Sequence, residues 1–199
     1  MTASYSAQAP AAVVMVRPHA FRSNPDTLAD NAFQKRDAAA TQADTAAAAH
    51  AEVSTMVRQL QDAGVRVHLF EDTGTATPDA VFPNNWFSTH AGGHMALYPM
   101  ATPSRQRERR WDIIDGLKQH YRVQDVIDYS GLEQDHVYLE GTGAMVLDHI
   151  DRVAYVARSN RADPLALERF CTHFNYEPLL FDAADASGRA VYHTNVLMC

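Results

Sequence analysis

One order of local signals recurs along this chain and limits what it can fold into: strand, strand, helix, strand. It begins near Ala80, with Trp86–Thr89 and Met95–Tyr98 around the hairpin signal Ala91-Gly92-Gly93. A helix carrying Ile114, Leu117 and Tyr121 follows, and then a strand over Val123–Ile127. The order returns with strands at Ala144–Leu147 and Val153–Val156 around His149-Ile150-Asp151. Asp163-Pro164 starts a helix with a carboxylate cap and a proline in the first turn. Leu167, Phe170, Cys171 and Phe174 form its buried stripe, and Leu179–Phe181 closes the unit. An earlier stretch reads as a strand at Val13–Val16, a helix from the alanine-rich Ala38–Ala51 through Val53, Met56, Val57 and Leu60, a stop at Gly64, and a strand at Val65–Phe70. Repetition of one supersecondary unit every ~50–65 residues predicts a ring or solenoid of small sheets.

Three short apolar runs deliver polar clusters at matching points of the repeat. Ala80-Val81-Phe82 leads into Pro83-Asn84-Asn85, Val137-Tyr138-Leu139 into Glu140-Gly141-Thr142, and Ala190-Val191-Tyr192 into His193-Thr194-Asn195. Leu139 follows Phe82 by 57 positions and Tyr192 follows Leu139 by 53. Read as equivalent strand ends, they place their polar groups around one axis. The last eight residues then read as the first strand of a fourth unit. The expected organisation is a loose tail over 1–12 and a partial propeller domain over 13–199, with about three units plus that strand.

Composition narrows the function. A net charge of −7 argues against nucleic acid and suits a cationic small molecule. No apolar run reaches the ~18 residues of a membrane span, and the N-terminus lacks a signal-peptide pattern. Two cysteines, Cys171 and Cys199, make no disulfide framework, so a reducing cytoplasm is expected.

Among chemistry-bearing residues, Glu140 precedes Gly141-Thr142-Gly143, whose glycines permit close backbone approach. It reads either as a site carboxylate or as a surface residue entering a turn. His193 reads either as an acid–base group or as a satisfied strand histidine. Cys199 lies six residues beyond His193, ~20 Å along an extended strand, out of reach of proton transfer. Cys171 belongs to a core stripe. His90 and His94 flank a hairpin without a third ligand at a diagnostic spacing, so no metal is expected, and no phosphate loop is present.

Several separated motifs together resemble one family. Arg17-Pro18, Asn24-Pro25, Asn31-Ala32-Phe33-Gln34, Phe82 through His90, Leu139 through Gly143, and Tyr192 through Asn195 are similar to the amidinotransferase-related, citrulline-utilization hydrolases. These resemble the wider guanidine-modifying superfamily of arginine deiminases and dimethylarginine dimethylaminohydrolases. The resemblance implies an α/β, pentein-like pseudo-symmetric propeller of ββαβ units. It implies a cysteine nucleophile in a last unit, absent from these residues, and a covalent thiouronium intermediate. It makes His193 the acid–base group and Glu140 the guanidinium holder. Asp79, Asn84, Asn85, His90 and Asn195 fall at substrate-side positions, with Arg105 as a carboxylate clamp. No cofactor is implied, and the partner is a guanidino or ureido amino acid. His90, Asn84-Asn85 and Asn195 stand where relatives carry acidic groups. That leaves a non-catalytic amino-acid-binding or interaction module as the alternative. The 199 residues alone are expected to be inactive and prone to association, including homo-oligomerisation.

Overall fold

A computed structural model describes residues 8–28, 31 and 41–199. Most of the Asn31–Gln34 motif, the first residues of the alanine-rich stretch and most of the expected tail lie outside the described residues.

Strand β1 (Ala12–Pro18) and β2 (Arg66–Asp72) pair in parallel, with Arg17 opposite Glu71. The connecting helix α1 (Gln42–Asp62) starts at a reciprocal cap, in which Thr41 Oγ1 accepts from the Asp44 N–H and the Asp44 carboxylate accepts from the Thr41 N–H. It stops at Gly64, which takes a φ of +84° that a side chain would resist. Val53 and Val57 are buried, whereas Met56, placed in the apolar stripe by its spacing, is 53% exposed. A helix lying on a two-stranded sheet covers only a narrow face, and Met56 falls outside it.

The second sheet takes the order β3 (Phe87–His90), β4 (His94–Leu97), β5 (Asp125–Asp128). The first pair is antiparallel and the second parallel. Between β4 and β5 lie the short helix α2 (Pro103–Gln106) and helix α3 (Trp111–His120), whose Ile113, Ile114 and Leu117 are buried. Tyr121 lies just past α3 instead of in its stripe, where its hydroxyl meets His68 at 2.7 Å.

The third sheet repeats this topology. The one-turn helix α4 (Gly141–Ala144) leads into β6 (Met145–Asp148), which is antiparallel to β7 (Val153–Ala157). Helix α5 (Pro164–Phe174) then returns the chain to β8 (Glu177–Phe181), parallel to β7. Asp163 caps α5 by accepting from the Leu165 N–H at 2.8 Å. Leu167, Phe170, Cys171 and Phe174 are all buried, as their spacing predicts. Each fully buried large apolar side chain contributes about 1.5–3 kcal/mol.

The three apolar runs differ from the expectation. Ala80–Phe82 forms a turn, Leu139 makes a single bridge to Ala162, and Ala190 a single bridge to Ala184. The final residues form a 3-10 turn, Thr194–Val196, and no strand. Three-residue runs give too few ladder bonds to hold a strand, and Pro83 and Gly141 bend the chain immediately afterwards. Gly141 does so with a φ of +45°. The polar clusters therefore ride on single helical turns. In the second and third sheets these turns precede the first strand. The three sheets do not close a ring among the described residues, and the first holds two strands, not three.

Candidate active site

The turns bring the sequence-distant polar groups together. Glu140 is completely buried, and its Oε2 lies 2.7 Å from His193 Nε2 and 3.2 Å from Arg161 Nη1. Its Oε1 accepts from the Ala101 N–H at 3.0 Å. Burial alone would raise the Glu140 pKa. The hydrogen bond from His193, and the charges of His193, Arg161 and Arg105, overcome that and hold it near 2. His193 is lowered from 6.5, first by burial, with Glu140 opposing and Arg161 and Arg105 adding to the fall. The two directions are compatible because Arg161 and the Ala101 N–H keep Glu140 ionised even beside a neutral imidazole. An ionised Glu140 fixes the hydrogen on Nε2 and leaves Nδ1 as the basic nitrogen.

Glycine makes the remaining approach possible. A Cβ on Gly143 would lie 2.9 Å from His193 Nδ1 and 2.4 Å from Asn85 Nδ2. Gly143 therefore sits in contact with both side chains. Thr194 locks the turn behind His193: its hydroxyl donates to the Ala144 carbonyl at 2.5 Å and accepts from the Ala157 N–H at 2.8 Å.

Asn85 joins this group to Arg105, whose Nη2 donates to Asn85 Oδ1 at 2.9 Å. Arg105 Nε lies 2.8 Å from Glu108 Oε1. Both side chains are buried. Burial pushes Glu108 up to about 8 despite Arg105. Asp79 Oδ2 accepts from Asn24 Nδ2 at 2.7 Å, and Asn24 also donates to Ser104 Oγ at 3.1 Å, next to Arg105. The Asn84 carbonyl faces Gly141 and accepts from the Thr142 hydroxyl at 3.3 Å. Asn195 is exposed, one residue beyond the buried Thr194.

His90 is not brought to this group. Its ring packs 4.2 Å from Phe174, and its Nε2 lies 2.7 Å from Ser88 Oγ, which in turn meets the Tyr98 hydroxyl at 2.6 Å. Position 90 is an inward-facing end of β3, so a side chain there meets α5. Burial, reinforced by His149, Arg152 and His94, lowers its pKa to about 3. The folded state keeps this imidazole neutral, while the unfolded chain takes up a proton below 6.5. Stability is therefore lost as pH falls from 6.5 toward 3. His90→Phe is expected to flatten that part of a stability–pH profile measured by urea unfolding. An unchanged slope would refute the assignment.

Arg161 escaped the sequence reading. The usable signal was the repeat itself, because Arg161 lies between β7 and α5 as Arg105 lies between β4 and α3. Glu108 was hidden in a run, Arg105–Arg110, that reads as a solvated face. Cys171 is buried in α5, with its thiol pushed up to about 11 by burial, and Cys199 is exposed.

A family profile described as N,N dimethylarginine dimethylhydrolase, eukaryotic, matches residues 17–199. The chain belongs to that family. The dimethylarginine dimethylhydrolase family lies within the guanidine-modifying superfamily, and its pentein-like fold extends to solved structures. The N-terminal domain of ArgZ, a cyanobacterial arginine dihydrolase bound to its product, is similar at a TM-score of 0.65 and 17% identity. The match covers 90% of this chain and 60% of that one. A mutant of DDAH from Pseudomonas aeruginosa, complexed with citrulline, is similar at a TM-score of 0.59 and 17% identity, with 90% and 62% covered. The chain thus spans about three-fifths of these structures' length. A search of the curated proteins found no match. No helix among the described residues is long and apolar enough to cross a membrane.

Proposed function

We propose that these residues form the acid–base and cation-holding part of a cysteine-dependent hydrolase that cleaves guanidino or ureido C–N bonds in arginine-like amino acids. The observation that carries this reading is the Glu140–His193 contact of 2.7 Å, buried and backed by Arg161. A guanidinium stays charged at ordinary pH and presents planar N–H donors, which carboxylates take in pairs. In this reading Glu140 and Asp79 are the carboxylates, and Asn84, Asn85 and Asn195 supply amides suited to a less charged ureido group.

In this mechanism a thiolate attacks the guanidinium carbon and forms the thiouronium adduct. His193 Nδ1 takes the proton of the attacking thiol, delivers it to the leaving amine, then takes one from the water that hydrolyses the adduct and returns it to the departing sulfur. Cys171 is buried in the apolar stripe of α5 and Cys199 is exposed, and this reading gives neither the nucleophile's role. Arg105 serves as a carboxylate clamp, held by Asn85 and Glu108. The citrulline-utilization branch is the finer placement, supported by the motifs Phe82–His90 and Tyr192–Asn195.

A chain extended to the length of its solved relatives is expected to turn over guanidino or ureido amino acids. Activity should fall at least about 100-fold in His193→Ala, the scale of acid–base catalysis, and a covalent adduct should be visible by mass spectrometry. Turnover that survives loss of His193 would sink the mechanism. Ligand binding without turnover or adduct would favour the non-catalytic alternative, which the amides at positions 84, 85 and 195 motivate.

A further inference from the structure

We propose that His19, His50 and Glu71 form a binding site for a divalent transition metal of the zinc class. One nitrogen from each imidazole and one carboxylate oxygen lie within 4.8 Å of one another. Among the described residues no other such group of three was found. In a tetrahedral zinc site with bonds of about 2.0–2.2 Å, donor atoms sit roughly 3.3 Å apart, so side-chain rotation alone closes the remaining gap.

The three donors come from separate elements. His19 follows β1, His50 lies on α1, and Glu71 lies on β2. The parallel pairing of Arg17 with Glu71 puts His19 and Glu71 at the same end of the sheet, and α1 crosses above it. The His19 and His50 rings meet edge to face at 4.9 Å, so neither is stacked away from the shared space. His19 Nε2 already lies 2.8 Å from Glu71 Oε2. A metal ion bound through Nε2 would take the place of this contact, with the single imidazole hydrogen of a neutral His19 carried on Nδ1. Two neutral imidazoles and a carboxylate form a donor set suited to zinc or nickel and poorly suited to calcium or magnesium.

Arg17 competes for this site. Its Nε donates to Glu71 Oε2 at 3.1 Å, its Nη2 pairs with Glu71 Oε1, and its Nη1 donates to Ser54 Oγ at 3.2 Å. A bound dication must share Glu71 with this guanidinium or displace it. That competition gives the site a signature that chance histidine binding lacks: removing Arg17 should tighten metal binding. Occupancy would join the end of β1 to α1 and β2. It would also fix the start of the segment leading to Asn24, which holds Asp79.

The test is calorimetric titration of the chelator-stripped 199-residue chain with Zn2+. One ion per chain is expected, with affinity reduced by about tenfold or more in His50→Ala and in His19→Ala and increased in Arg17→Met. The His68 and His120 rings, 5.3 Å apart, are the control pair, and the double variant His68→Ala/His120→Ala should bind as the parent does. The proposal is overturned by absence of saturable binding, by binding that survives His50→Ala and His19→Ala, by loss of binding in the control double variant, or by weaker binding in Arg17→Met. Melting curves without metal show whether each variant is folded, and His19, being exposed, gives the variant least coupled to folding.

Discussion

Glu140→Ala is expected to cost about 3–5 kcal/mol of folding stability, the scale of a buried charge left without its partner. The substitution removes the carboxylate that meets Arg161 and His193, and with it the acceptor of the Ala101 N–H. The pH dependence gives a separate estimate of similar size. Glu140 is held near 2 in the fold and titrates near 4.5 when free, a difference worth about 3 kcal/mol. Its pKa is depressed, so the stabilisation is complete above 4.5 and is lost as pH falls toward 2. Urea unfolding at neutral pH and near pH 3 should therefore show a large gap between parent and variant at the first and a smaller one at the second. A single variant within about 1 kcal/mol of the parent would mean that Glu140 is not the centre of the network.

Gly141→Ala is the second large effect, and it acts on the backbone. The new Cβ would lie 2.3 Å from the Asn84 carbonyl oxygen and 2.8 Å from that of Asn85, at a φ of +45°. The dihedral alone costs an L-residue about 1–2 kcal/mol. The collision is with main-chain atoms of a proline-started turn, so relief requires separating the Pro83–Asn85 turn from α4. A total loss of about 3 kcal/mol or more is expected by denaturant unfolding. Gly143→Ala is the informative contrast. Its Cβ would meet the side chains of Asn85 and His193 and no backbone carbonyl among its nearest atoms. That variant should keep more of its stability while shifting the His193 ring resonances in an NMR spectrum. Equal losses in both would remove the distinction between a backbone contact and a site contact.

Much of the fold was legible because the repeat imposes the same periodicities twice. The β3–β4 hairpin follows from Ala91-Gly92-Gly93, and α5 from Asp163-Pro164 and its four-residue apolar stripe. The second and third sheets share one topology, as the recurrence of signals predicts. The opening runs were misread because an apolar triplet looks the same in a strand and in a buried turn. Only the ladder partners distinguish them, and those lie far away in sequence. Glu140 and His193 were readable as equivalent points of a repeat, and they meet. Asn85 and Arg105 also meet, through a hydrogen bond that no local pattern announces. His90 was misplaced because a polar residue beside a motif looks functional until its neighbours are known, and here the neighbours are the aromatic rings of α5. Arg161 was missed because nothing within ten positions distinguishes it from a solvated arginine.

Glu140, His193 and both arginines sit on connectors and single turns, while each sheet satisfies its own ladder. Evolutionary drift and site geometry are thereby uncoupled. Strand residues can be exchanged within one sheet, provided volume and register are kept, without touching a bond made by Glu140 or His193. A scaffold built this way can retain its shape at 17% identity. It also lets the residues of this buried cluster be revised one connector at a time.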